Sequence, residues 1–556
     1  MSSEERQGLN RRELIGTAGA AALGAAGGLA IGGTAAGAAA SPDAAPGLPA
    51  FELEELTAAD LAAGLASGKW TSRRLTELYL ERIATLDRGP QGPNAVAETN
   101  PDALAIAAEL DAERRAGKLR GPLHGIPVLI KDNIDSGDRM WTTAGSLALA
   151  GSRAARDAFL VERLRAAGAV LLGKTNLSEW ANIRSPRSTS GWSGRGGQVR
   201  NPYALDRNPC GSSSGTGAAI SANLAPLGVG TETDGSIICP SSMCGLVGLK
   251  PTVGLVSRSG VIPISATQDT AGPMTRTVAD AALLLAALAG NGSADPRDPA
   301  TARAAGQVAD FAAALDPRGL AGARLGLVRA FFGWHPEIED QMKGLIAVLE
   351  GAGAVLVDPV EIPHLADLDP LEGEVLHYEF KAGVNAYLAG LPVDGGHPRN
   401  LAELIDFNRR HAAEEMPWFG QETFEKCEAK GPLTDEPYTR AVREAARLSR
   451  AEGIDAVLGK HRLDALVCPS MGPAYLTDWV NGDHYTGAAT SPCAVAGYPH
   501  LTVPAGFVHG LPWGLSFMGP AWSEARLLRL GYAFEQATKA RRAPRLARTV
   551  DVGRRA

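Results

Sequence analysis

Two short hydroxyl-rich loops and one lysine carry the chemical potential of this 556-residue chain. The loops are Cys210-Gly-Ser-Ser-Ser-Gly-Thr216 and Gly230-Thr-Glu-Thr-Asp-Gly-Ser236, and the lysine closes Gly121-Pro-Leu-His-Gly-Ile-Pro-Val-Leu-Ile-Lys131, just before Asp132 and Asn133. A serine hydroxyl attacks a carbonyl only when a base takes its proton, and neither loop supplies a histidine and aspartate pair. Lysine can serve instead if it is neutral, and burial favours that form because desolvation penalises the ammonium. Lys131 follows the apolar run Ile126 to Ile130, which predicts a buried strand that delivers the lysine at its end. The second loop can supply both nucleophile and donors. Gly235 permits a tight turn, and the backbone N–H groups of Thr233, Asp234, Gly235 and Ser236 can converge on a developing oxyanion. The first loop leads into a predicted helix over Gly217 to Asn223, whose N-terminus also favours negative charge. Either loop taken alone reads as an ordinary Gly/Ser turn, and it is their combination with the lysine that points to chemistry.

Around these loops stand Gly235-Ser236-Ile237-Ile238-Cys239-Pro240 and Cys244-Gly245-Leu-Val-Gly248-Leu-Lys250-Pro251-Thr252. With them, the stretch from Lys131 to about Arg276 resembles the amidase signature family, and the likeness continues through Ser491 to Pro499, Val503 to Phe507 and Gly510 to Gly514. The resemblance implies a serine amidase that cleaves a carboxamide C–N bond through an acyl-enzyme and releases ammonia, with no cofactor and no metal. Carried over residue by residue, it makes Ser236 the nucleophile, Ser212 the bridging serine held by a cis peptide bond, and Lys131 the terminal base. Ser213 and Ser214 become loop supports, and Thr233 to Ser236 the oxyanion hole. Two departures stand out: Asp234 and Ser214 each occupy a position where glycine is common in the family. These variants, with Lys174-Thr-Asn176 to Asn182 and Gly254 to Arg258, look most like the peptide amidase branch, which removes the C-terminal amide of peptides. Small or aryl acyl amides or esters are the alternative substrates.

The surrounding elements must hold these loops. Helical segments alternate with apolar runs at Leu123 to Ile130, Ala169 to Leu172, Ala225 to Val229, Gly245 to Leu249, Ala323 to Val328, Leu463 to Cys468, Leu501 to Val503 and Leu511 to Phe517. That alternation predicts an α/β fold, read as a single large domain whose mixed central sheet is covered by helices on both sides. The expected order is N-terminal helices over 51–120, a signature core over 121–290, a helical cap region over 320–460 and a C-terminal part of the core over 461–545. Thr57 and Ser72 are the expected caps of the first two helices, and a long Ala/Leu helix should begin near Thr277.

Residues 1–40 read differently. Asn10-Arg11-Arg12-Glu13-Leu14-Ile15 precedes an Ala/Gly stretch ending in Ala38-Ala39-Ala40, which predicts a twin-arginine signal peptide and export, with no stable membrane association. A net charge of −7 without a basic, aromatic-interleaved stretch argues against nucleic acid, leaving a small-molecule or peptide amide as the expected partner. Oligomeric state is not legible. The six cysteines are read as small packing residues. Gly168-Ala-Val-Leu-Leu-Gly173-Lys174-Thr175 matches the Walker A phosphate-loop pattern by letters, which would make a nucleotide-dependent protein. Its middle is an apolar strand-like run, unsuited to cradling phosphate. His124 precedes the strand that carries Lys131 and is expected to be structural.

Overall fold

The computed structural model describes residues 50–550 apart from Pro90 and Ser293, so the expected signal peptide lies outside the described residues. Eleven strands form one sheet: β1 (Val96–Thr99), β2 (Pro127–Lys131), β3 (Val170–Thr175), β4 (Leu227–Glu232), β5 (Val247–Lys250), β6 (Thr270–Thr275), β7 (Arg324–Val328), β8 (Val355–Val360), β9 (Ala465–Pro469), β10 (His500–Val508) and β11 (Leu511–Met518). Their spatial order is β1-β3-β2-β4-β6-β5-β10-β11-β9-β7-β8. The sheet is mixed, as expected: β2 runs parallel to β3 and β4, whereas β6 is antiparallel to β4 and β5.

Every residue of β2 through β6 is buried, which accounts for the continuous apolar runs: a strand covered on both faces has no polar alternation to show. On β10, successive side chains meet different layers, following the two-residue period of a strand. Leu501 and Val503 pack against the helix Glu524–Thr538, at Gly531, while Thr502 points to Gly514 and Ser470 on the other side. The short helix Ile238–Met243 packs on that second side, where Ser242 Oγ accepts from Gly514 N–H at 2.9 Å.

The N-terminal helices are Ala58–Ser67, Ser72–Arg82 and Ala103–Arg115. The first has the capping box that Thr57 and Asp60 predicted, with reciprocal bonds of 3.1 and 2.9 Å. At the second, Thr71 rather than Ser72 is the cap, because Thr71 Oγ1 accepts from Arg74 N–H at 3.0 Å; Ser72 Oγ instead donates to the Gly125 carbonyl. Thr277 caps Val278–Ala289 as expected. The region 320–460 is not wholly helical, since β7 and β8 extend the far edge of the sheet before the 25-residue helix Leu365–Ala389 begins. Within Gly168 to Thr175 the structure has β3, and the Lys174 ammonium donates to Ile134 O at 2.6 Å and Thr142 Oγ1 at 3.0 Å. That lysine is fully engaged inside the core, which removes the phosphate-loop alternative. His124 bonds the Leu110 carbonyl at 2.8 Å and accepts from Arg120 N–H at 3.1 Å, a structural role.

Candidate active site

Two parallel strands, β2 and β4, end side by side and bring Lys131 against Thr231. Lys131 is completely buried. Its Nζ lies 2.9 Å from Thr231 Oγ1, 3.3 Å from Thr231 O and 2.7 Å from Ser212 Oγ. A neutral amine has two N–H bonds and one lone pair, and the three neighbours match that count: Thr231 accepts twice, and the Ser212 hydroxyl faces the lone pair. Desolvation lowers the Lys131 pKa from 10.5 to about 7, against the opposing pull of the Asp269 and Glu232 carboxylates. Asn133 Nδ2, two residues past the end of β2, donates to the same Thr231 Oγ1 at 3.0 Å, so the threonine is held from two positions.

The first hydroxyl loop divides its serines. The Gly211–Ser212 peptide bond is cis, as the resemblance implied. Ser212 turns to Lys131, whereas Ser213 Oγ donates to Thr231 O at 3.0 Å and accepts from Thr231 N–H at 3.2 Å, clasping the end of β4. Ser214 opens the helix Ser214–Ser221 and lies 3.2 Å from Ser178 Oγ. Ser178 N–H in turn donates to Ser212 O at 3.0 Å, so Ser214 steadies the loop from behind.

The second loop leaves β4 at Glu232. Its carboxylate accepts from Ile237 N–H at 2.7 Å and Ile238 N–H at 3.0 Å, satisfying the start of the following helix and closing the turn between them. Among the described residues, the N–H groups of Thr233, Asp234, Gly235 and Ser236 donate to no protein acceptor. Gly235 has φ +77°, and a Cβ there would stand 2.9 Å from Cys239 Sγ and 3.2 Å from Thr490 Oγ1. Glycine is therefore required twice over, by backbone conformation and by space. Ser236 is 7% exposed, its hydroxyl engages no protein partner among the described residues, and its carbonyl accepts from Ser213 N–H at 3.2 Å, tying the loops together.

Several groups escaped the sequence reading. Thr231 is the anchor of Lys131, and Asp269 accepts from Thr233 Oγ1 at 2.6 Å and from Ile264 and Ser265 N–H at 2.8 Å each. Burial raises the Asp269 pKa to about 6. Asp234, the departure from glycine, turns its carboxylate away from the loop to accept from Ser491 Oγ at 2.8 Å, and burial raises its pKa. The N–H of residue 234 thus stays available. A cavity of about 10 Å³ lies beside Ser212, Asn133, Thr231, Thr233 and Asp269. That is roughly the room one water molecule takes. All six cysteines are free thiols and buried. Among the described residues no cluster of His, Cys, Asp and Glu is arranged to hold a metal ion.

Comparisons with known proteins concern the chain as a whole. The model of the family described as Amidase matches residues 74–528. The native peptide amidase from Stenotrophomonas maltophilia superposes with a TM-score of 0.83 at 52% identity, covering 89% of this chain and 99% of that one. A peptide amidase in complex with the competitive inhibitor chymostatin gives a TM-score of 0.85 at 53% identity, with 89% and 100% covered. A probable amidase of Arabidopsis thaliana is 42% identical over 510 residues, 89% of this chain and 92% of that protein.

Proposed function

The chain belongs to the amidase family, an amide-hydrolysing enzyme on an amidase signature fold, and from that premise we propose that it removes the C-terminal amide of peptides by a Ser236, Ser212 and Lys131 relay. The observation that carries this reading is the buried Lys131 amine, 2.7 Å from Ser212 Oγ and with a pKa brought down to about 7. At neutral pH half of such a lysine is a base. It takes the Ser212 proton as Ser212 takes that of Ser236, whose oxygen attacks the amide carbon. Negative charge on the carbonyl oxygen is met by the free N–H groups of residues 233–236, each worth about 3 kcal/mol when aimed at the oxyanion. The proton returns through Ser212 to the departing nitrogen. The cavity beside Ser212 has room for one ammonia, and then for the one water that cleaves the acyl-enzyme by the reverse relay.

The peptide amide as substrate is supported by the likeness to two solved peptide amidase structures, at 52% and 53% identity. Ammonia release measured over a panel of N-acetylated peptide amides, acetamide and acyl anilides tests it. Turnover confined to acetamide or anilides would reject the peptide reading while leaving the amidase chemistry standing. Export by the twin-arginine route is proposed from Arg11 and Arg12 and the Ala38-Ala39-Ala40 site. Replacing both arginines with lysine should retain the full-length protein in the cytoplasm, and undiminished export would reject the proposal.

A further inference from the structure

The loop from Met471 to Ala489 contributes no residue to the relay, yet it holds an unusual surface. Among the described residues nine large hydrophobic side chains are exposed, and four of them, Leu476, Trp479, Val480 and Tyr485, fall within ten positions of this loop. A fifth, Trp418, comes from the helical cap region and stacks on Trp479 with ring centroids 4.9 Å apart and planes 22° from parallel. Trp418 is 43% exposed, Trp479 42% and Tyr485 52%. Exposed apolar clusters of this kind mark binding surfaces.

Three observations place this wall at the catalytic opening and hold it rigid. Asn208 N–H, two residues before Cys210 on the first hydroxyl loop, donates to Tyr475 O at 2.8 Å. Asp483 accepts from Ser190 N–H at 3.1 Å and from the Tyr475 hydroxyl at 2.9 Å, while Trp479 Nε1 donates to Gln198 Oε1 at 3.0 Å. At the other end, Tyr485 lies five residues before Thr490, whose Oγ1 would stand 3.2 Å from a Cβ on Gly235. The loop that carries these rings thus touches the first hydroxyl loop through Tyr475 and the oxyanion turn through Thr490.

We propose that Tyr485, Trp479 and Trp418 form an extended acyl-side subsite that binds the second and third residues before the scissile amide, favouring apolar and aromatic side chains there. The inference rests on the peptide reading and sharpens it by assigning the stacked tryptophans to residues beyond the first. Rigid aromatic rings lose little conformational entropy on binding, so a half-exposed pair already stacked is suited to capturing a peptide side chain.

The test compares kcat/KM for N-acetyl-leucinamide, N-acetyl-Phe-Leu amide and N-acetyl-Ala-Phe-Leu amide, and for the same peptides with serine in place of phenylalanine. The dipeptide and tripeptide with phenylalanine should exceed the single-residue amide by at least tenfold and their serine counterparts by about fivefold. Trp479→Ala and Trp418→Ala should remove most of that advantage while the single-residue amide keeps its rate within about twofold, and Trp479→Phe should restore it. Equal kcat/KM across the series, or an advantage that survives both alanine substitutions, would overturn the subsite. No turnover of any of the peptides would instead count against the peptide reading itself.

Discussion

Lowering Lys131 from 10.5 to about 7 makes the pH profile a direct readout of the relay. The base form is the unprotonated amine, so kcat/KM should rise with pH and level off above about 8. With a pKa of about 7, the neutral fraction is roughly one tenth at pH 6 and nine tenths at pH 8, so the rate should climb about tenfold between them. A solvent-exposed lysine would be neutral in only about one molecule in 3000 at pH 7, which is the factor that burial recovers. Lys131→Ala removes the base altogether, and because positioned proton transfer contributes about 10²- to 10⁴-fold, kcat should fall by that range, or about 3 to 5 kcal/mol of barrier. The residual rate should also lose its ascending limb near pH 7. Initial rates of ammonia release from N-acetyl-Phe-Leu amide between pH 5.5 and 9.5 supply both readings. An unchanged limb in Lys131→Ala, or a wild-type limb near pH 10, would refute the reasoning.

Other outcomes follow from the same geometry. Burying a lysine as the free amine costs stability wherever the unfolded chain would hold the proton, so stability should rise with pH between about 7 and 10.5, and the full penalty, up to about 5 kcal/mol, applies below pH 7. Lys131→Met should therefore raise the melting temperature at pH 7 while lowering kcat as Lys131→Ala does, and a lower melting temperature would contradict that sign. Asp269→Asn removes a carboxylate that favours the Lys131 ammonium, so calorimetry and rate profiles should show the ascending limb displaced to lower pH; a move upward would show another group controls it. Gly235→Ala places a Cβ 2.9 Å from Cys239 Sγ at a φ of +77° and should cut kcat at least 100-fold with little change in KM, since it disturbs donors used in the transition state. Ser213→Ala should cost far less in kcat than Ser212→Ala, because Ser213 clasps Thr231 and does not meet Lys131.

Much of the fold was legible because its central strands are buried on both faces and so appear as bare apolar runs. The three strands that left no such trace each have a physical reason. β1 is a four-residue edge strand. β6 reads Thr-Ala-Gly-Pro-Met-Thr, with a glycine and a proline inside a strand at the centre of the sheet, a composition that argues against a strand on sequence grounds. β8 lies at the opposite edge, has only one buried residue and carries Pro359. At the site, Lys131, Ser212 and Ser236 stood out through chemical type and the family resemblance. Thr231 did not, because a threonine at a strand end looks like any β-former; only the pairing of β2 with β4 reveals that it receives Lys131. Asp269 is 33 residues beyond Ser236 and joins the site through the return of β6 beside β4, a long-range pairing that no local spacing encodes.

The central claim is that Ser236 attacks while Ser212 only relays the proton. A fluorophosphonate probe, which leaves a stable adduct on an activated serine, followed by peptide mass mapping, tests it most directly. The account predicts one adduct, on Ser236, lost in Ser236→Ala and formed more slowly but at the same residue in Ser212→Ala and Lys131→Ala. An adduct on Ser212 or Ser213, or undiminished labelling of Ser236→Ala, would contradict it.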